Sequence, residues 1–236
     1  EYSGAYTNLG EAYIKLKKFN LSKKSFDKSL ELDGPSPEIY SYLGEVYYYL
    51  EDYSTSINYY QRSIKIDQFY KKSYYGLGKC LTSLDKWFEA IHYFKKAYKI
   101  DNDNIDYIKS LAYAEFKVGN LVSSIDLYSK ALKINPDDTN LSLDFSLIYY
   151  ESGDIERAIS IIKNAIKEIP DESLLYYRLV IYLMDAGKYK ESINVLESAL
   201  SLNFDNHEVL FDFVPNFESQ SALIRVINQY KNNNLK

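Results

Sequence analysis

The chain has 236 residues, a net charge of −5, 46% apolar residues and 26% charged residues, proportions ordinary for a soluble protein. It lacks the basic footprint of a nucleic-acid binder and the polybasic cluster of a membrane-surface protein; no apolar run approaches a membrane span, and no signal-peptide pattern opens the chain. The single cysteine, Cys80, excludes an internal disulfide and reads as a small buried thiol in a reducing, cytoplasmic setting.

From the first residues onward the chain repeats with a period of 34. Leu9-Gly10, Leu43-Gly44 and Leu77-Gly78 keep that spacing, and Leu111-Ala112, Phe145-Ser146 and Leu179-Val180 continue it. With each pair placed at positions 7 and 8, the units are 3–36, 37–70, 71–104, 105–138, 139–172 and 173–206, uninterrupted by insertions. Positions 4, 7 and 11 form one helical stripe: Tyr6, Tyr40, Tyr74, Ile108, Ser142 and Tyr176 stand at position 4. This predicts a first helix, A, in each unit.

Glycines then mark the turn in the later units, at Gly119-Asn120, Gly153-Asp154 and Gly187-Lys188, where a helix C-cap with positive φ suits glycine. A second helix, B, follows. Its position 20 is always small (Ser22, Ser56, Ala90, Ser124, Ala158, Ser192), as a close approach of two helix backbones requires. Position 24 is large (Phe26, Tyr60, Phe94, Tyr128, Ile162, Leu196) and position 27 is small again. Asp33-Gly34-Pro35, Asn102-Asp103, Asn135-Pro136 and Pro170-Asp171 stop one helix and start the next.

Residues 207–236 read as a cover for the last apolar face. Val209, Leu210, Phe211 and Phe213 begin another A-type helix, which Pro215 is expected to cut short. A final helix is predicted from about Ser219 to Tyr230, with Leu223, Val226, Ile227 and Tyr230 on its apolar face and an Asn232-Asn233-Asn234 tail that frays. At the other end, nothing covers the outer face of Ala5, Tyr6 and Leu9; with Glu1 in place of an initiator Met, the expectation is an excised fragment whose covering helix has been removed, or a meeting of two chains there.

Leu-Gly and Tyr in helix A, small-large-small in helix B and Pro near the exit resemble the tetratricopeptide repeat (TPR) family over residues 3–206, with a weaker resemblance of the "LFDFVP…LIRVINQY" ending to TPR proteins of Bacteroidetes. Glu115, Ser142 and Phe204 depart from the pattern. The resemblance implies an all-α, right-handed superhelical solenoid of helical hairpins with A helices lining a concave side. A single hairpin cannot bury its own apolar face, so stability rests on stacking.

The resemblance also implies that positions 2, 5, 6, 9, 12 and 13 face the groove. Seven of the 26 tyrosines fall there: Tyr42, Tyr48, Tyr49, Tyr75, Tyr113, Tyr150 and Tyr177. Phe116, Lys72, Lys79, Lys109 and Arg178 join them, making an aromatic, partly basic lining suited to an extended peptide with acidic or C-terminal carboxylate groups. The clamp by which TPR co-chaperones hold the C-terminal carboxylate of heat-shock chaperones is not matched. Its positions hold Thr7, Glu11, Tyr42, Lys72 and Gly76 in the first three units, and Lys109, Tyr113, Asp144, Leu174 and Arg178 in the last three. Glu11, Glu45, Asp106, Asp144 and Glu151 speak against nucleic acid in the groove.

His92 and His207 have no metal-site spacing with Cys80, and Tyr75-Gly76-Leu77-Gly78 sits in a helix rather than a phosphate loop. No catalytic constellation, metal or cofactor site is read. The expected function is a non-catalytic scaffold that binds a protein or peptide partner, without membrane insertion. The alternatives are a structural module that forms a homo-oligomer through its N-terminal helix, or the sensing arm of a larger enzyme or regulator.

Overall fold

The computed structural model describes residues 3–213 and 221–234. Among them no strand occurs. Six helical hairpins follow one another: α1 (Ser3–Lys15) with α2 (Phe19–Asp33), α3 (Pro37–Tyr49) with α4 (Tyr53–Ile66), α5 (Lys71–Ser83) with α6 (Trp87–Ile100), α7 (Ile105–Lys117) with α8 (Leu121–Ile134), α9 (Thr139–Glu151) with α10 (Ile155–Glu168), and α11 (Ser173–Asp185) with α12 (Tyr189–Leu202). A 3-10 turn at Asp205–Glu208 leads into α13 (Val209–Phe213), and α14 (Ser221–Asn234) closes the chain. The expected stop at Pro215 and start at Ser219 lie outside the described residues. α14 runs through Asn232 and Asn233 to Asn234. Packing divides into two units, Glu1–Leu127 and Tyr128–Lys236. The division falls within α8.

Helix starts have local causes. Ser36 accepts from the Ile39 N–H with Pro37 at the first helical position, and Asp52, Asn104, Asp138 and Asp154 cap α4, α7, α9 and α10 in the same way. The A-to-B turns show why glycine recurs in only half the repeats. Gly119, Gly153 and Gly187 adopt φ of +86°, +86° and +72°, while Lys17, Glu51 and Asp85 hold the same left-handed turn at +56°, +61° and +57°. The turn geometry is therefore common to all six repeats, and the first three bear a steric strain that glycine avoids.

Within the first unit, a buried serine closes the first two hairpins. The carbonyl of Gly10 accepts the Ser22 hydroxyl at 2.8 Å, and Gly44 accepts Ser56 at 2.6 Å. The ring at position 24 lies flat on the same glycine: a Cβ on Gly10 would stand 2.5 Å from Phe26, on Gly44 2.8 Å from Tyr60, and on Gly78 2.3 Å from Phe94. In the second unit Ser146 and Val180 replace the glycine, and Ile162 and Leu196 replace the ring; all four are buried. Volume is thus exchanged between the two helices of each hairpin.

The second unit is built on α11, which is buried almost all round, from Leu175 and Tyr177 to Met184. Leu210 of α13 and Leu223 and Ile227 of α14 join its core.

Gly78→Val is expected to destabilise the protein by about 1–3 kcal/mol through collision with Phe94, and adding Phe94→Leu, which reproduces the Val180/Leu196 pairing, to recover most of that loss in urea unfolding. Glu51→Gly is expected to stabilise by roughly 0.5–1 kcal/mol, since relief of the left-handed strain exceeds the entropy that glycine adds to the unfolded chain; a lower urea midpoint for this variant would contradict the strain assignment.

Candidate functional site

In the first unit, the exposed faces of α3, α5 and α7 present aromatic rings held by neighbours beneath them. Tyr42 stacks on Phe26 with ring centroids 5.0 Å apart, and Tyr49 stacks on Phe19 at 4.9 Å. Tyr75 lies 4.9 Å from Tyr107 and 5.8 Å from Phe94. Tyr113 meets Trp87 edge-on at 5.7 Å. These contacts leave each ring partly open to solvent while removing its rotamer freedom.

Two cavities lie among the rings. One, of about 320 Å³, is lined by Tyr42, Glu45, Lys72, Tyr75, Gly76 and Lys79, with Asp106, Tyr107, Asn104 and Ser41 at its edge and Tyr60 as its floor. Gly76 is required there, because a Cβ would fall 2.1 Å from the Tyr60 ring. The second, of about 210 Å³, is lined by Tyr48, Tyr75, Lys79, Trp87, Phe94 and Tyr113 together with Thr82 and Ser110. Tyr75 and Lys79 belong to both, so they form the wall that the two cavities share.

The lysines of this surface rest on rings. Lys79 Nζ stands 4.4 Å from the centroid of Tyr48, 5.7 Å from Tyr49 and 5.8 Å from Tyr75. Lys72 Nζ lies 5.7 Å from Tyr42, and Lys117 Nζ 5.3 Å from Tyr113 and 5.9 Å from Trp87. Elsewhere some lysines pair with carboxylates, as Lys71 does with Asp101 and Lys163 with Glu191, both at 2.6 Å, and others, Lys23 and Lys96, also lie over rings. A ring face holds an ammonium without neutralising it.

The acidic groups are placed differently. Burial pushes the Glu45 carboxyl above its ordinary range, opposed by the positive charges of Lys79 and Lys72. Burial also raises the Tyr42 phenol, helped by its hydrogen bond to Glu11. Tyr107 is pushed up to about 12 by burial first. These phenols stay protonated, and their hydroxyls remain hydrogen-bond donors at neutral pH.

Of the residues assigned to the groove by repeat position, Tyr42, Lys72, Tyr75, Lys79 and Tyr113 line the two cavities. Tyr49 is 41% exposed beside them. Phe116 and Lys109, half-buried on α7, line neither cavity. Tyr150 belongs to the second unit, where it stacks on Tyr182 at 4.7 Å and donates to Asp185, a bond that with burial lifts its phenol to about 12.

Two assignments are corrected. Tyr177 is fully buried, its hydroxyl donating to the Asn203 carbonyl at 2.8 Å. Arg178 is 9% exposed and donates to Tyr182 of its own helix. Asn203 and Asp205, just after α12, lie against Tyr177. Trp87, Tyr107 and Gly76 were not predicted. Trp87 occupies a position that reads as packing between helices, and its being the sole tryptophan was the one available signal.

The repeat pattern is decisive when set against family models: tetratricopeptide repeat models match residues 3–35, 37–70, 71–104, 115–180 and 174–206. The chain belongs to the tetratricopeptide repeat family. Solved structures agree on the TPR fold. The Pseudomonas aeruginosa PilF structure superposes with a TM-score of 0.73 at 14% identity, covering 94% of this chain and 97% of that one. A MamA structure gives 0.62 at 21%, covering 76% and 98%. YrrB, described as a TPR protein with an unusual peptide-binding site, gives 0.59 at 17%, covering 79% and 96%. No curated protein matches the sequence significantly. Among the described residues no helix of this TPR protein is long and apolar enough to cross a membrane.

Tyr177→Ala is expected to cost roughly 3–5 kcal/mol of stability, as for other large buried side chains, whereas Tyr113→Ala, with a ring 38% exposed, is expected to cost about 1 kcal/mol. Paired urea titrations measure both, and equal losses would contradict the different placement of the two rings.

Proposed function

We propose that the protein is a non-catalytic interaction scaffold that seats an extended segment of a partner protein on the groove of its first unit. Tyr75 is the central contact, with Tyr42, Tyr48, Tyr49 and Tyr113 as stacking surfaces and Lys72 and Lys79 orienting the segment. The observation that carries this reading is the pair of cavities joined through Tyr75 and Lys79, where rigid rings and open ammonium groups alternate. Rigid tyrosines give large contact area with little ordering entropy left to lose on binding. Membership of the TPR family and the peptide-binding site described for YrrB support a role of this class. The single buried thiol suits a cytoplasmic location.

Self-association through α1 is a second reading, favoured by Leu9, which is 41% exposed on that helix; a mass that rises with concentration in light scattering would support it over a monomeric scaffold.

Trp87 reports on the second cavity directly. Titration with a bound partner segment is expected to shift or quench its emission. Tyr75→Ala combined with Tyr113→Ala is expected to abolish partner capture while the helical circular dichroism spectrum is kept. Capture of the same partners by the double variant would overturn the groove assignment.

A further inference from the structure

The charges of the first unit's groove are sorted by helix. On the α1 and α3 side stand Glu11, bonded to the Tyr42 hydroxyl, and Glu45 in the larger cavity. On the α5 and α7 side stand Lys72, Lys79 and Lys117, each over a ring. Two residues break the sorting, and each has a local reason. Lys15 lies in the last turn of α1 and Asp106 in the first turn of α7, the ends at which a helix favours those signs. Lys72, Lys79, Glu45 and Asp106 leave the larger cavity formally neutral. A uniformly acidic ligand would therefore meet Glu45 as a competitor for both lysines, and a uniformly basic one would meet Lys72 and Lys79.

Resting on the groove reading above, we propose that this surface recognises an extended segment with blockwise charge: basic residues over α1 and α3, acidic residues over α5 and α7. Packed helix axes lie about 8–10 Å apart, and an extended chain advances about 3.3 Å per residue, so each helix is crossed by about three residues. Crossing all four takes roughly ten residues. The rings between the charged groups accept the apolar or aromatic side chains that separate the two blocks. The acidic block meets ammonium groups that rings hold in place without neutralising them, and the basic block meets Glu11 and Glu45. A mismatched order places like charges together, the arrangement by which surfaces reject wrong partners.

The test uses four labelled synthetic peptides of roughly ten residues and of equal length. One carries a lysine block and a glutamate block, one has the same composition in alternation, one is all-acidic and one all-basic in its charged positions. Fluorescence anisotropy at low salt measures binding to the whole chain. The block peptide is expected to bind roughly ten-fold more tightly than the alternating one and more tightly than either single-sign peptide. Glu11→Lys with Glu45→Lys is expected to weaken the block peptide and strengthen the all-acidic one; Glu11→Gln with Glu45→Gln, gentler on folding, is expected to do the same to a smaller degree. Equal binding of block and alternating peptides, or tightest binding of the all-acidic peptide to the unaltered protein, overturns the charge order while leaving the groove intact. Loss of every peptide on Tyr75→Ala with Tyr113→Ala ties the binding to the groove. Absence of binding by all four, with Trp87 emission unchanged, overturns the groove reading and the charge order together.

Discussion

The first unit depends on how closely two helices of a hairpin can approach. A glycine on helix A accepts a flat ring from helix B at a distance that no side chain would allow, and a serine on helix B donates to that glycine's carbonyl at Gly10 and Gly44. Both partners are needed. A smaller residue at the ring position would leave a cavity, and a larger one at the glycine would force the helices apart. Tyr60 extends the principle, since its ring lies against Gly44 of its own hairpin and Gly76 of the next. One buried side chain thereby sets the spacing within a repeat and between repeats.

That spacing turns interior packing into a surface property. Because Tyr60 must lie against Gly76, α5 presents no side chain at that point, and the larger cavity opens above the Tyr60 ring. The tyrosines around it are backed by Phe26, Phe19, Phe94 and Tyr107. Their exposed edges are as fixed as the core that supports them. Ring faces then collect the nearby ammonium groups, so the aromatic side chains organise the electrostatics too.

Helix order and hairpin phase are legible in the chain because the constraint is local and recurs: small residues at position 20, a large one at 24, glycine or its substitute at 8. The groove residues on α3 and α5 are legible for the same reason. Position numbers fail where neighbours differ from those of an average repeat. Tyr177 and Arg178 occupy the same positions as Tyr75 and Gly76, yet the segment around Asn203 and Asp205 covers Tyr177. Trp87 fails in the opposite direction, since a position assigned to packing holds a side chain long enough to reach the cavity rim. The left-handed turns at Lys17, Glu51 and Asp85 carry no sequence mark, because the repeat imposes that backbone on whatever residue stands there.

Glu115 shows how the repeat absorbs a residue that contradicts its pattern. It stands where the other repeats place a large apolar side chain or a tyrosine, and it is 1% exposed. A carboxylate there requires partners, and it has two: Lys95 of α6 at 2.7 Å and the Asn120 side chain at 2.6 Å. Asn120 also donates its backbone N–H to the Glu115 carbonyl, so one residue satisfies the carboxylate and closes the turn into α8. Hydrophobic packing at this position would hold α7 against its neighbours without specifying direction. The carboxylate instead ties the end of α7 to one lysine and one turn, exchanging non-directional burial for geometry, the use for which buried ionic groups are best attested. The same helix carries Tyr113 and Lys117 into the groove, so the register that Glu115 defines sets where those two groups stand.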